Sequence, residues 1–219
     1  MEFSRRRLFG AAATLAAGMA LPRSLASEDA LAAPFEALPL NLTRSSLAQD
    51  RFSGILLPQA RAALDRHGAR IPHRDMIGLV DFSAPSRAAR FYLVDMPAGQ
   101  IISTHLVAHG KGSDPANSGW VERFSNRPGS NASCQGAFLT SAGYVGEHGA
   151  SRRLEGLDAG NNMALSRSIV IHGADYVDAG MAATQGRIGR SQGCFAVSRS
   201  EIADVLELLG QGRLLYAVK

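Results

Sequence analysis

The stretch "GRSQGCFAV", Gly189–Val197, carries one of only two cysteines in a chain of 219 residues. Three chemistries suit a cysteine there: a disulfide with Cys134, an inert buried filler, or a nucleophile. A thiol nucleophile needs a base within hydrogen-bond reach and donors for the oxyanion it creates. The base on offer is His172, which ends the apolar run "IVIHG". A side chain at such a strand end is held rigidly, yet it can emerge at the rim of a sheet. Gly193, beside the thiol, leaves the neighbouring backbone amides uncovered, as an oxyanion site requires. Ser191 is small and polar and suits hydrogen bonding within the turn. Imidazole would then take or hold the thiol proton while sulfur attacks a carbonyl carbon. Blander readings stand beside this one: a histidine that only braces a strand, and a cysteine that is inert or disulfide-bonded.

Other side chains invite their own readings. His109 in "VAHG" offers a second cleft wall and an oxyanion donor. His105 and His109 have the H-x-x-x-H spacing that chelates a metal on a helix. "IISTHLVAHG" is β-like, however, and four residues along a strand span roughly 13 Å, too far for one ion. No metal and no cofactor is expected. Tyr144, His148 and Tyr176 either line a site or pack with a satisfied polar tip. Ser125 and Asn126 in "FSN" either bind substrate or turn a loop, and Trp120 either stacks on a sugar ring or caps the core. Cys134 reads as a small filler.

The elements that must hold these residues are short. "MIGLVDFS", "RFYLVDM", "QIISTHLVAHG", "GAFLTSAGYVG" and "RSIVIHGADYV" are β-branched or aromatic runs divided by Gly, Pro, Asn and Ser, and "RLLYAV" adds a last strand. Helical spacing occurs twice. Leu56–Arg70 has apolar residues at 56, 57, 60, 63 and 64, with Gly68 near its end. In "SRSEIADVLELLGQG", Ser198 and Glu201 make a capping box, 202, 205, 206 and 209 an inner face, and Gly210 a stop. Lys111–Gln135 is a long polar loop, of a kind that in compact domains is functional or disordered. The expected fold is mainly β with a few helices, a sandwich or barrel rather than a repeated βαβ unit.

Composition narrows the partners. With 46% hydrophobic and 19% charged residues the chain is an ordinary globular one. Arg5, Arg6, Arg7 and Arg23 against Glu2 place +3 of the formal +4 charge in residues 1–26. The remainder is close to neutral, which gives no support for nucleic acid or an acidic membrane as partner. The opening "MEFSRRRLFGAAATLAAGMALPRSLAS" joins a basic start, the apolar run Leu8–Leu21 and small residues at Ser24 and Ala26, the pattern of a secretory signal peptide. The run is shorter than the roughly 20 residues that span a bilayer, and the arginines before it suit twin-arginine export. The expected organisation is a signal peptide over 1–26, a linker or lead-in over 27–50 and a catalytic domain over 51–219. Such a chain is delivered to the periplasm or cell envelope, with no membrane span after signal cleavage. It is expected to be a monomer.

Taken together, "IVIHGADYV" and "GRSQGCFAV" resemble the YkuD-like L,D-transpeptidase catalytic domain, whose core pattern is a His-Gly followed by Ser-x-Gly-Cys. More narrowly, the chain resembles the murein L,D-transpeptidase catalytic domain family. The supporting segments are Val80–Ser83 "VDFS", Val107–Ser113 "VAHGKGS", Phe124–Asn126 "FSN", Tyr144–Gly149 "YVGEHG" and Asn162–Val177 "NMALSRSIVIHGADYV". These ordered matches run from Gly78 to Val218. The resemblance implies an L,D-transpeptidase-like β-sandwich with Cys194 as nucleophile, His172 as base, and Ser191 and Gly193 shaping the turn. It also implies that peptidoglycan stem peptides are the partner. Cys194 would attack a stem-peptide carbonyl and expel the terminal residue, and a second amine would capture the acyl-enzyme. Water as acceptor would make the chain an L,D-carboxypeptidase, and a catalytically silent wall-binding module is the non-enzymatic alternative. One departure stands out. The better-known branch carries an arginine two residues after the cysteine, where this chain has Ala196. Arg187 and Arg190, in the loop before the thiol, are the candidates to meet a substrate carboxylate instead; otherwise they are solvated loop charges.

Overall fold

β-Branched and aromatic runs become strands where alternate residues can be buried on the two faces of a sheet. The computed structural model describes residues 48–219. The expected signal peptide and nearly all of the lead-in lie outside the described residues. Eight strands form: β1 (Met76–Asp81), β2 (Ala89–Asp95), β3 (Gln100–Leu106), β4 (Gly136–Gly146), β5 (Gly149–Gly156), β6 (Val170–Gly173), β7 (Phe195–Val197) and β8 (Leu214–Val218). They make one sheet in the order β3-β2-β1-β8-β4-β5-β6-β7. The β1–β8 and β6–β7 pairs are parallel and the other neighbours antiparallel. Its two ends approach each other: Ala108, just past β3, pairs with Ala196 of β7, its N–H donating to Ala196 O at 2.9 Å. The fold is mainly β with few helices, as expected, and its strands belong to a single, nearly closed sheet.

Alternation along the strands sorts the apolar residues into two cores. Val80, Phe91, Leu93, Phe138, Phe195 and Leu215 share one core, while Ile77, Leu79, Val94, Ala137 and Leu214 share the other. In the first, Phe195 stacks on Phe82 with ring centroids 5.9 Å apart and meets Phe138 edge-on at 5.5 Å. Each such aromatic contact adds about 1 kcal/mol beyond the area it buries. The residue next to Cys194 is thus fixed in the first core.

The second core is sealed by helix α1 (Leu57–Arg66), which continues a π-wound turn, Phe52–Leu56. Phe52, Leu56, Ala60, Ala63 and Leu64 fall on one stripe and are all buried. Pro58 sits where the winding changes from π to α, within one continuous helical segment. The helix stops at Arg66, short of the expected Arg70. His67 leaves helical geometry at φ −106° and ψ 12° and brings its Nε2 to 2.9 Å from Asp158 Oδ1.

Two short helices complete the fold. α2 (Ala179–Gln185) was not legible in the sequence. It is capped by Asp178, which accepts from Met181 N–H at 2.8 Å, and ends on Gly186 at φ 68°. α3 (Ile202–Leu208) begins later than the capping box suggests, because Ser198 Oγ donates to the Glu201 carboxylate at 2.8 Å and caps no amide. Among the described residues no helix is long and apolar enough to cross a membrane.

Candidate active site

The site is set by the parallel pairing of β6 and β7, in which His172 lies opposite Ala196. Ile171 and Phe195 turn into the aromatic core, so His172, Ala196 and the alternate position Cys194 share the other face. This register leaves about 8 Å between the Cα atoms of Cys194 and His172, a gap that thiol and imidazole side chains can close. Both residues line a single cleft of about 310 Å³, together with His148, Arg167, Tyr176 and Arg190.

The turn before β7 is built around Ser191. Its Oγ donates to Cys194 O at 2.7 Å and accepts from Gly193 N–H at 3.1 Å. The Gly193 amide is therefore engaged within the turn, where the sequence suggests an uncovered donor. The Cys194 amide makes no hydrogen bond among the described residues. Gly193 has φ 119°, and a side chain there would meet Ala132 O and Ile169 Cδ1, both at 2.8 Å, so only glycine fits. Neighbouring backbone clamps the turn from outside: Ser191 N–H donates to His109 O at 2.9 Å, and Lys111 N–H donates to Ser191 O at 2.8 Å.

His172 is 2% exposed, and its Nδ1 lies 3.1 Å from Gly173 O. A carbonyl only accepts, so Nδ1 carries the proton and Nε2 keeps the lone pair. The ring of His148, from the turn between β4 and β5, stacks on His172 at 4.3 Å and 21°. Burial above all holds His172 below the ordinary imidazole range, with His148 and Arg199 adding to the effect. Burial likewise pushes the Cys194 thiol up, against a backbone hydrogen bond from Val170 and the charge of Arg167. Both shifts favour the neutral forms, a thiol whose Sγ donates to Ser168 O at 3.5 Å and an imidazole in the same cleft.

The sequence reading gave Arg167 no role, yet it braces the cleft. Its guanidinium donates to Ser125 O at 2.6 Å, Ala132 O at 2.5 Å, Ser130 Oγ at 3.3 Å and Cys134 Sγ at 3.1 Å. Cys134 is a free buried thiol and Cys194 is free as well, so the disulfide suggested by the cysteine count does not form. The signal available in the sequence was the long polar loop itself. Its backbone carbonyls need donors, and an arginine immediately before "SIVIHG" is placed to supply them.

The remaining candidates divide. Tyr176 and Arg190 reach the cleft. Burial raises the Tyr176 phenol to about 12, which keeps it protonated, and the Arg190 guanidinium is tied to Asp114 O. Arg187 does not line the cleft and donates only to Gln185 O at 3.3 Å. His109 is no cleft wall, because it is fully buried. Its Nδ1 accepts from Arg90 Nη2 at 2.8 Å and its Nε2 donates to Asp114 Oδ2 at 3.3 Å. Only its backbone carbonyl touches the turn. Ser125 and Asn126 also lie outside the cleft. Ser125 lends a carbonyl to Arg167, and Asn126 ties the long loop to Ala159 O at 3.1 Å and Asn162 Oδ1 at 2.7 Å. Trp120 is 44% exposed. His105 pairs with Ser103 at 2.8 Å and shares no partner with His109. Among the described residues, no group of three His, Cys, Asp or Glu side chains is placed to hold a metal. Ala196 is buried in a small apolar cluster with Ala108, Ala174, Ala182 and Ile188, which leaves no polar surroundings for an arginine.

The model of the L,D-transpeptidase catalytic domain family matches residues 50–218. The chain belongs to the L,D-transpeptidase catalytic domain family. No curated protein matches it. Among solved structures, the chain is similar to an L,D-transpeptidase from Mycobacterium smegmatis, with 14% identity, TM-score 0.41, and 66% of this chain and 59% of that one covered. It is similar also to an L,D-transpeptidase from Xylanimonas cellulosilytica, with 16% identity, TM-score 0.39, and 74% and 70% covered. A third is the helical cell shape determining protein Pgp2 of Campylobacter jejuni, with 11% identity, TM-score 0.43, and 72% and 53% covered. The chain thus spans less than two thirds of the length of the first of these structures. At such identities and TM-scores the family assignment rests on the family match.

Proposed function

We propose that this chain is an exported cysteine L,D-transpeptidase that remodels or crosslinks peptidoglycan stem peptides through an acyl-enzyme on Cys194. The observation that carries this reading is the placement of Cys194, in the turn that leads into β7, and His172, on the parallel neighbour β6, in one cleft, with Nε2 of His172 unprotonated. Family membership supports the reaction class, and the basic, apolar, small-residue start of the sequence supports export. In the first half-reaction Nε2 takes the thiol proton as Sγ bonds to the stem-peptide carbonyl carbon. The carbonyl oxygen gains charge, and the unpaired Cys194 amide is the nearest backbone donor to receive it. The C–N bond then breaks, and the imidazolium gives its proton to the departing amine. In the second half-reaction an amine from another stem attacks the thioester, the C–S bond breaks, and the amine's proton returns to sulfur through His172. The phenol of Tyr176 and the cation of Arg190, both in the cleft, bind and orient the donor peptide.

Mass analysis of purified muropeptides incubated with the full chain tests the reading. Wild type should yield crosslinked dimers and take up one carbapenem-type β-lactam per chain. Cys194→Ala should lose both, and His172→Ala should slow acylation by roughly 10²–10⁴-fold. Because His172 is held below its ordinary range, the acylation rate should fall off in acid with a midpoint below the ordinary imidazole value of about 6.5. Unchanged acylation of Cys194→Ala, or an active preparation with Cys194 fully disulfide-bonded, would overturn it. Shortened monomers without dimers would assign water as the acceptor.

A further inference from the structure

Arg167 lines one opening and braces the loop that lines another. The first is the Cys194 cleft. The other is a second cleft of about 480 Å³, lined by Arg123, Phe124, Ser125, Arg127, Ser130 and the backbone around them. Arg167 lines the first cleft while donating to Ser125 O, Ser130 Oγ and Ala132 O of the second. A side chain at Gly193, next to the nucleophile, would lie 2.8 Å from Ala132 O and 3.3 Å from Arg167 Nη2. The floor is firm, because Phe124 packs on the buried ring of Phe82 at 5.7 Å.

The charges of this second cleft have one sign. Arg123 and Arg127 line it and no carboxylate does. Arg123 spends only Nε, on Gly112 O at 3.0 Å, and the Arg127 guanidinium makes no hydrogen bond among the described residues. Arginine forks that no acid neutralises select a planar anion, and a carboxylate fits them in two-point fashion. In the Cys194 cleft Arg167 is committed to backbone carbonyls, and Arg190, tied to Asp114 O through Nη1, is left to the donor peptide. The transpeptidase reading, on which this inference rests, needs a second peptide beside the thioester, and stem peptides carry carboxylates.

We infer that the cleft of Arg123 and Arg127 is the acceptor subsite. There the two arginines hold a carboxylate of the peptide whose amine reaches past Arg167 to attack the Cys194 thioester. The amine nitrogen bonds to the acyl carbon as the C–S bond breaks, and its proton passes through His172 to sulfur.

The test uses the full chain with one donor muropeptide and a titrated acceptor stem peptide. Arg127→Glu should raise the acceptor KM at least tenfold and turn product from dimer to hydrolysed monomer, while the rate of Cys194 acylation by a carbapenem changes less than twofold. Arg123→Ala/Arg127→Ala should behave alike, and Arg127→Lys should recover part of the dimer yield. Amidating the acceptor carboxylates should reproduce the loss on wild type. Wild-type dimer yields from Arg127→Glu, or a parallel loss of acylation, would overturn the inference. A wild type that is acylated but never forms dimers would overturn it alone, leaving the Cys194 chemistry standing. A wild type that is never acylated would overturn the underlying reading with it.

Discussion

At the residue scale, burial rather than residue type decides what each histidine does. His109 looks in the sequence like a cleft residue, yet it lies between the buried Arg90 and Asp114, accepting from one and donating to the other. Burial first, and Arg90 second, lower its pKa to about 4. In the unfolded chain the same ring titrates near 6.5. As pH falls from about 6.5 to about 4 the unfolded state therefore takes up a proton that the folded state refuses. Stability that is full above this window is lost through it, by on the order of 3 kcal/mol. His109→Gln keeps one acceptor and one donor but cannot titrate. Thermal melts between pH 7 and 4 should fall more steeply for wild type than for His109→Gln; parallel curves would exclude the assignment. That Cys194 lies in a Gly-flanked turn and His172 on a strand was legible in the sequence because both are local signals. The role of Arg167 was not, since its partners lie in a loop some 35 to 42 residues earlier in the chain.

At the element scale, β7 explains why the arginine of the better-known branch has no place here. Position 196 pairs with His172 on one side and with Ala108 on the other, inside an apolar cluster closed by Ala182 and Ile188. An arginine there would be overpacked and its charge unpaired. Ala196→Arg should cost more than about 3 kcal/mol, read as a lower denaturant midpoint; a midpoint within error of wild type would show that the cluster opens freely. The elements that eluded the sequence share a cause. β5, "GASRRLEG", places only Ser151 and Leu154 in buried positions and so shows no apolar alternation. It is a strand because β4 and β6 pair with it on both sides. Tertiary pairing likewise overrides the capping box at α3, where the Glu201 carboxylate sits 3.1 Å from His105 Nδ1. The long apolar strands were legible because their burial pattern is written in their own residues.

At the scale of the whole molecule, the sheet has one face inside its own curl and the other beneath α1. Leu64 and Leu56 of the helical segment press on Ile77, Leu79 and Leu214. Truncating the fully buried side of this contact should be felt far from the site. Leu64→Ala should lower the unfolding free energy by about 2–5 kcal/mol, with carbapenem acylation of the remaining folded protein unchanged. Loss of acylation at full stability would mean that the helix communicates with the cleft.

The strand order carries a last consequence, for how the molecule comes into being. β8 is the latest described strand in sequence, yet it lies in the middle of the sheet, between β1 and β4. Until it has left the ribosome, β1 to β3 and β4 to β7 are two separate ribbons, each with an unpaired edge where the seam will run. Joining them requires residues near 77 and 214 to meet, a long-range closure of the kind that makes folding slow. The nascent chain therefore carries two sticky edges from the time β4 forms until β8 emerges to cover both.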